Sequence, residues 1–548
     1  MPLSPAPFLS FCRRAHGAIE RRLAVGIDFM RFRQRFRPYP GLVASPTPQT
    51  GRVLFVAGRG MNVGWAQIWA YLSLAFRSLS IEPCVVLYKK QRILRLYFTL
   101  AGARIFFLDA LPHTSSRETY ANRIATFKTV GDWESLTHHT MPIGQMLLST
   151  YCRHHATGFI DPANPALHHF ALEWLPGLCA AYDAAAALYQ REHITHALFS
   201  ETFIEEYGGF YFAALDAGLA VFKTSGTVRD NAIIVQRRTR ENARLHHAAL
   251  APASWQKIRD LPDYPRIRAA VDTNFAERYS AKWHRSVRNH KNTRNMTRDE
   301  GRQFLGIAPH QKVAIIYSHI LYDALFHYGD ELFQDYATWL IETIRLAIQN
   351  PHLTWFVKLH PSNLWRGEFH SVLGGKYEEE KIIDRCVGTL PPHIRLIYAD
   401  TPISPLGWYH IADYGLCVRG TAGLEMACLG KPVITAGTGR YEGNGFTIDP
   451  PTIEAYQRTL LHLHELPPLT AAETDLANRY THGLFNLKPF TLSGLEVSLS
   501  FGKKSVAASD DVIYLPKSRP AKNTLPEDLK QFAAFIRDPS QADLLSDF

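Results

Sequence analysis

The sequence predicts an α/β protein built as two doubly wound, Rossmann-like domains. Three observations carry this prediction. Its 548 residues exceed what one ordinary core holds, so two large domains are expected. Short, fully apolar runs bounded by turn residues recur along the chain, as in strands buried on both faces. The stretches between them are long enough for helices, and apolar strands alternating with helical patterns form parallel βαβ units.

Composition narrows the class. Hydrophobic residues make up 46% and charged residues 20% of the chain, the balance of a soluble globular protein rather than a disordered one. No run reaches the roughly 18 consecutive apolar residues of a spanning helix. The start "MPLSPAPFLSFCRRAHG" lacks the basic region, apolar run and cleavage site of a secretory signal. Seven scattered cysteines without a CxxC fit reduced, packed thiols, so a cytoplasmic location is expected. The formal net charge of +10 favours an acidic partner: a phosphorylated ligand, an anionic membrane surface or a polyanion, although no nucleic-acid-binding module is recognised.

Residues 1–50 form a basic arm and linker. Arg13, Arg14, Arg21, Arg22, Arg31, Arg33, Arg35 and Arg37 interleave with Phe29, Phe32, Phe36 and other apolar residues, a pattern for a basic amphipathic helix. Such a helix either lies on anionic lipid, on the inner face of the cytoplasmic membrane, or packs on its own protein. Residues 51–275 form the first α/β domain. Val53–Ala57 is a buried strand; Gly58, Gly60 and Gly64 punctuate the turn after it, and a helix follows from about Trp65. "EPCVVLY", "ARIFFLD", "HALFS" and "AVFKTSG" repeat the strand signature. Residues 276–305 are a basic connector, read chiefly as a solvated face.

The second domain spans 306–480. "VAIIYS" opens it, the stretch "GDELFQDYATWLIETIRLAIQN" reads as helical, and "LTWFVKLHP", "HIRLIYADTP", "YGLCV" and "PVITA" are strands. Residues 481–548 form an extension expected to pack partly back on the first domain.

One segment of the second domain concentrates the chemistry. In "CVRGTAGLEMACLGKPVI" a buried strand runs into Arg419, Gly420, Thr421, Ala422 and Gly423, and then into a helix of under three turns. A helix that starts at the carboxyl end of a parallel strand presents free N–H groups to an anion. Thr421 is expected as its N-cap, which places Glu425 one position late for a capping box. Glu425 is therefore read as a carboxylate for sugar or ribose hydroxyls, against the plainer alternative of an acid near a helix dipole. Lys358, His360 and Pro361 end the strand of "FVKLHPSN", with Lys358 and His360 on one side of it. "GTGRYEGNGFTIDP" adds a glycine-rich loop carrying Arg440.

The runs "KLHPSN" and "SPLGWYHIADYGLCVRGTAGLEMACLGKPVITAGTGRYEGNGFTIDP" resemble bacterial capsule polysaccharide biosynthesis proteins, a group that includes Kdo (ketodeoxyoctonate) transferases using CMP-Kdo. The resemblance is specific over about 355–450 and loose over 51–235. It implies a GT-B fold: two Rossmann-like domains facing across a cleft, with a nucleotide sugar mainly on the second and a glycan or glycolipid acceptor on the first. Lys358 and His360 match the family's Lys-x-His-Pro element, and Thr421, Gly423 and Glu425 its small-residue-then-Glu element. Arg-Gly-Thr-Ala-Gly stands here where many relatives have Asn-Ser-Thr-x-Gly, which leaves the nucleotide open. On this reading Gly58, Gly60, Asn62 and Gly64 bind the acceptor.

The implied activity is glycosyl transfer from a nucleotide sugar, with a CMP sugar suspected and no permanently bound cofactor. A polyol-phosphate transferase, a sugar-nucleotide epimerase and a catalytically silent glycan-binding scaffold are the alternatives. Proton transfer from an acceptor hydroxyl calls for a carboxylate or histidine. Asp230, Glu201, His319 and Asp323 all follow predicted strands, and Asp230 and Glu201 are favoured. Adjacent histidines such as His138–His139 are not expected to converge on one ion, and no metal site is predicted.

Overall fold

The computed structural model describes residues 6–39, 41, 50–110, 118–280, 282–283, 292–363, 376–504, 511–517 and 524–546. Fourteen strands run through the described residues: β1 (Gly51–Ala57), β2 (Ile81–Leu87), β3 (Arg104–Phe107), β4 (Ile194–Phe199), β5 (Ala220–Gly226), β6 (Ala232–Arg238), β7 (Val313–Tyr317), β8 (Thr354–Lys358), β9 (Ile394–Ile397), β10 (Tyr414–Cys417), β11 (Val433–Thr435), β12 (Phe490–Thr491), β13 (Leu495–Leu499) and β14 (Val512–Pro516).

The first lobe holds a seven-stranded sheet in the order β12-β6-β5-β4-β1-β2-β3. β1 to β5 are parallel, whereas β6 pairs antiparallel with β5 and β12 antiparallel with β6. The second lobe is a five-stranded, all-parallel sheet in the order β11-β10-β7-β8-β9. This is a two-domain Rossmann-like fold. The run Val53–Ala57 has no exposed surface at all, and Val313–Ile316 is equally buried. Each such aliphatic side chain contributes about 1.5–3 kcal/mol by leaving water. Side chains buried on both faces leave no alternation to read, which is why these strands appear as continuous apolar runs.

Both sheets reverse their winding. In the second lobe the order runs β7-β8-β9 one way and β10-β11 the other, so the switch lies between β7 and β10. Loops leaving the two strands there diverge to opposite faces and open a crevice at their carboxyl ends.

Two local expectations shift. The helix anticipated from Gly329 begins at Tyr336, because Asp335 caps it by accepting the Thr338 N–H at 2.6 Å. The same carboxylate accepts the Ile160 N–H of the first lobe at 3.1 Å. Residues 318–334 are thereby released to wrap the crevice. The short helix spans Thr421–Cys428, and its N-cap is Gly420, not Thr421, whose side chain makes no cap bond.

The chain crosses between lobes twice. After β6 it enters the helices Pro252–Arg259 and Tyr264–Tyr279, which share a core with the second lobe through Leu250, Ile258, Phe275, Leu424 and Tyr480. It returns just before β12. At the return, the Lys488 ammonium donates to the Ala249 carbonyl of the outgoing crossing and pairs with Asp543 at 2.8 Å, both side chains fully buried. Beyond β12 the β13–β14 hairpin and the helix Glu527–Arg537 pack on the first lobe's helix Val63–Ser78, where Tyr71 donates to Asp528 at 2.9 Å.

The N-terminal helix, Ala6–Phe36, ends on the same surface. Phe32, Phe36 and Tyr39 are buried, with Phe32 edge-on to Tyr97 at 5.0 Å, while Leu23 and Met30 are 58% and 56% exposed. Part of the arm's apolar face is thus committed to its own core. No helix among the described residues is long and apolar enough to cross a membrane.

Candidate functional site

A cavity of about 410 Å³ lies at the carboxyl ends of β7, β8 and β10. The loop after β7 contributes Ser318, His319 and Asp323; the end of β8 contributes Lys358, His360 and Pro361; the turn after β10 contributes Arg419, Gly420, Thr421 and Ala422. Arg440 reaches it from the glycine-rich loop, and His246, Arg278 and Tyr279 close it from the crossing segment. Residues about 120 positions apart in sequence meet here because the topological switch brings the strand ends together.

The turn itself is backed from below. A Cβ on Gly423 would meet the Tyr441 hydroxyl at 2.3 Å and Cys417 Sγ at 3.0 Å, so this glycine makes room for Tyr441 rather than for a ligand. Tyr441 in return donates to the Gly420 carbonyl at 2.6 Å. A Cβ on Gly420 would meet nothing closer than 3.7 Å, so that position is open. The first N–H groups of the helix Thr421–Cys428 start at this opening, without a side-chain cap.

Four cations surround the cavity, and they are not equivalent. Arg419 pairs with Glu331 at 3.0 Å, and Arg278 with Glu425 at 3.4 Å. Burial alone would lower both guanidinium pKa values; the paired carboxylates override it and raise them. Lys358, buried, and Arg440, half-buried, both line the cavity and form no ion pair among the described residues. Burial pushes the Lys358 ammonium down to about 8 and lowers Arg440. The Arg440 guanidinium donates to the Arg419 carbonyl at 2.8 Å and leaves Nε without a partner. A desolvated, unneutralised positive charge is costly to hold, and an anion in the cavity relieves that cost.

His319 offers the cavity a donor. Its Nε2 accepts the Val418 N–H at 3.1 Å, and burial pushes its pKa down to about 3, so the ring is neutral with its proton on Nδ1. The lone pair expected of a base is already engaged. Asp323 is the one carboxylate among the described residues that line the cavity, and it faces Arg153 of the first lobe at 3.7 Å.

The remaining sequence-selected residues lie elsewhere. Glu425 is fully buried beneath the cavity and off its wall; Tyr279 donates to its Oε2. Glu201 is half-buried just beyond the carboxyl end of the central strand β4 and accepts the Thr202 N–H at 2.7 Å. Burial pushes its pKa up, but Lys223 and His327 outweigh burial and hold it below the usual range. Asp230 is buried in the turn between β5 and β6 and does not reach the cavity. Asn62 is the N-cap of the helix Val63–Ser78, accepting the Trp65 N–H at 3.0 Å. Gly60 takes a left-handed φ of 83°, Gly58 admits Glu206 and Tyr207, and Gly64 admits Tyr514. None of Gly58, Gly60, Asn62 and Gly64 lines the cavity.

Sequence reasoning passed over Arg278 and Tyr279, in a segment read largely as a solvated connector, and Glu331, which neutralises Arg419. Tyr279, ending the stripe Ile267, Val271, Phe275 at four-residue spacing, was the available signal for the former; the latter had none. His138 and His139, not expected to converge on one ion, both face one carboxylate. His139 takes a left-handed φ of 52°, and His138 Nε2 lies 2.8 Å and His139 Nε2 3.9 Å from Asp183 Oδ1.

No protein-family model matches the chain, and no curated protein sequence matches it. Solved structures resemble it at low identity. They include Thermosulfurimonas dismutans KpsC, a beta Kdo 2,4 transferase, at 15% identity and a TM-score of 0.28, covering 53% of this chain and 80% of that one. A UDP-GlcNAc 2-epimerase from Neisseria meningitidis, bound to UDP-GlcNAc, has 14% identity and a TM-score of 0.27 over 79% of this chain and 96% of its own. Acinetobacter baumannii MurG has 10% identity and a TM-score of 0.27 over 78% and 94%. The strand topology, rather than these scores, establishes the two-lobed α/β fold.

Proposed function

We propose that this chain is a nucleotide-sugar-dependent glycosyltransferase of bacterial surface polysaccharide assembly, with a CMP sugar such as CMP-Kdo as donor. The observation that carries the reading is the pair of unneutralised cations, the buried Lys358 and the half-buried Arg440, facing an uncapped helix start at the topological switch. A phosphate there meets two positive charges and the first N–H groups of the helix Thr421–Cys428. His319 Nδ1–H adds a neutral donor.

On this reading the glycosidic C–O bond of the donor breaks, and the nucleotide leaves as an anion stabilised by Lys358 and Arg440. The acceptor oxygen forms the new bond to the anomeric carbon and passes its proton to Asp323, the carboxylate on the wall. Arg153 holds Asp323 from the opposite lobe, so that closing the lobes completes the site. The exposed Leu23 and Met30 on the basic N-terminal helix support attachment to an anionic membrane, where a lipid-linked acceptor would lie.

A thermal-shift panel of CMP, CDP, UDP and GDP tests the donor site. A bound nucleotide raises the melting temperature by mass action. At least one should do so in the wild type and fail to do so in Lys358→Ala and Arg440→Ala. No shift with any of the four would overturn the donor site. Conversion of the sugar nucleotide without an acceptor would favour the epimerase alternative.

A further inference from the structure

A second cavity, of about 380 Å³, opens at the carboxyl ends of β1, β2 and β3 in the first lobe. Arg59, Tyr88 and Asp109 follow those strands; Glu173, Trp174 and Gly177 come from the helix Pro165–Arg191, and Glu205 and Glu206 from the helix Glu205–Asp216. Its chemistry is opposite to that of the nucleotide-facing cavity. Four carboxylates, Asp109, Glu173, Glu205 and Glu206, face one guanidinium. The Arg59 guanidinium lies over the Tyr88 ring at 5.7 Å and the Trp174 ring at 6.0 Å, and pairs with Glu205 at 3.9 Å. Trp174 is stacked from behind on Phe170, with centroids 5.1 Å apart, so its orientation is fixed.

The two cavities are linked by consecutive residues. On the helix Ile143–His155, Arg153 reaches Asp323 at 3.7 Å, on the wall of the first cavity. His154 reaches Glu205 at 3.6 Å, on the wall of the second, and packs edge-on against Trp174 at 4.8 Å. One peptide unit therefore separates the residue that holds the first cavity's carboxylate from the residue that lines up the second.

We infer that this second cavity is a sugar subsite selecting an uncharged or amino-bearing pyranose and rejecting an acidic one. The fixed indole and the Tyr88 ring give the apolar C–H side of a pyranose ring a surface to pack on where the exposed Arg59 guanidinium now lies, carboxylates accept hydroxyl or ammonium protons, and the displaced Arg59 donates to ring substituents. An anionic sugar brings a like charge against several carboxylates and is disfavoured. Charge thus sorts the ligands between the lobes: the anion enters the cationic cavity and the neutral or cationic ring enters the acidic one. Assigning this ring to the acceptor rests on the transferase reading above; the sugar specificity itself does not.

Saturation-transfer NMR on the full chain, with N-acetylglucosamine, glucosamine and glucuronate as separate probes, tests the inference. Saturation of at least one of the first two, with that of glucuronate at least fivefold weaker, is expected. Trp174→Ala should abolish the signal. Gly177→Phe provides a second variant that leaves existing contacts intact, since a Cβ at Gly177 meets nothing within 4 Å, and its side chain should block the cavity. No saturation by any probe, equal saturation by glucuronate, or signal retained in Gly177→Phe would overturn the proposal. The nucleotide thermal shift, measured on the wild-type chain, separates the two readings: a shift with no sugar binding refutes this subsite alone, and sugar binding without any shift refutes the donor site alone.

Discussion

The Glu331 carboxylate meets the Arg419 guanidinium at 3.0 Å, with both side chains almost fully buried. Arg419 stands on the cavity wall, yet its charge is spent within the protein. Removing one partner of a buried pair leaves the other charged and desolvated, at a cost of about 3–5 kcal/mol. Glu331→Gln should therefore lower stability by that amount in urea denaturation. A loss below about 1 kcal/mol would show that the pair is not what holds residues 318–334 around the cavity.

Lys358 should behave in the opposite way. Lys358→Met removes an unpaired buried charge, so the melting temperature of the free protein should stay level or rise, while the nucleotide-induced shift is lost. A charge-assisted hydrogen bond contributes about 1.5–3 kcal/mol, so nucleotide affinity should fall by about ten- to a hundredfold. Calorimetry showing unchanged affinity would remove Lys358 from the site.

The same lysine gives a pH signature. Burial lowers its pKa from 10.5 to about 8, so between those values the folded protein binds fewer protons than the unfolded chain. The penalty of holding the ammonium is fully present below pH 8 and disappears as pH rises toward 10.5; this group therefore makes stability increase over that window. Nucleotide affinity should move the other way, weakening as pH rises past about 8. Both trends should be absent in Lys358→Met.

Glu425 distinguishes a supporting from a contacting role. It is fully buried and tied to Tyr279 and Arg278, so Glu425→Ala should cost about 3–5 kcal/mol of stability along with any loss of binding. Weakened nucleotide binding with the urea midpoint unchanged would mean that the carboxylate reaches the ligand directly.

These contrasts show what was legible in the sequence. Buried parallel strands advertise themselves through continuous apolar runs, so the strands leading to Lys358, to Arg419 and to His319 were found, and with them nine of the residues lining the main cavity. Partnerships between distant residues leave no such trace. Nothing local marks Glu331 as the counterion of Arg419, 88 positions away, or Tyr279 as the donor to Glu425, 146 positions away. Thr421 was expected as a cap because threonine favours that role, yet the preceding Gly420 took it. The turn's conformation is set by Tyr441 bracing the Gly420 carbonyl from below, a contact that residue preference does not encode.

The N-terminal helix yields a prediction with a built-in control. Leu23 and Met30 are exposed, whereas Phe32 and Phe36 are core residues. Leu23→Ser with Met30→Ser should leave the melting temperature unchanged and reduce cosedimentation with vesicles rich in phosphatidylglycerol, because burying each apolar side chain contributes about 1.5–3 kcal/mol. Equal sedimentation would discard membrane attachment through this surface. Deleting residues 1–37 is the poorer test, since it also strips Phe32 and Phe36 from the core.

The two passages of the chain between the lobes lie side by side, bound together by Lys488 through the Ala249 carbonyl and Asp543. Two adjacent bridges act as the spine of a book: the covers swing about one line, and sliding or twisting about any other is resisted. Asp323 and Arg153 sit on opposite pages, so the width of that swing sets the gap between them.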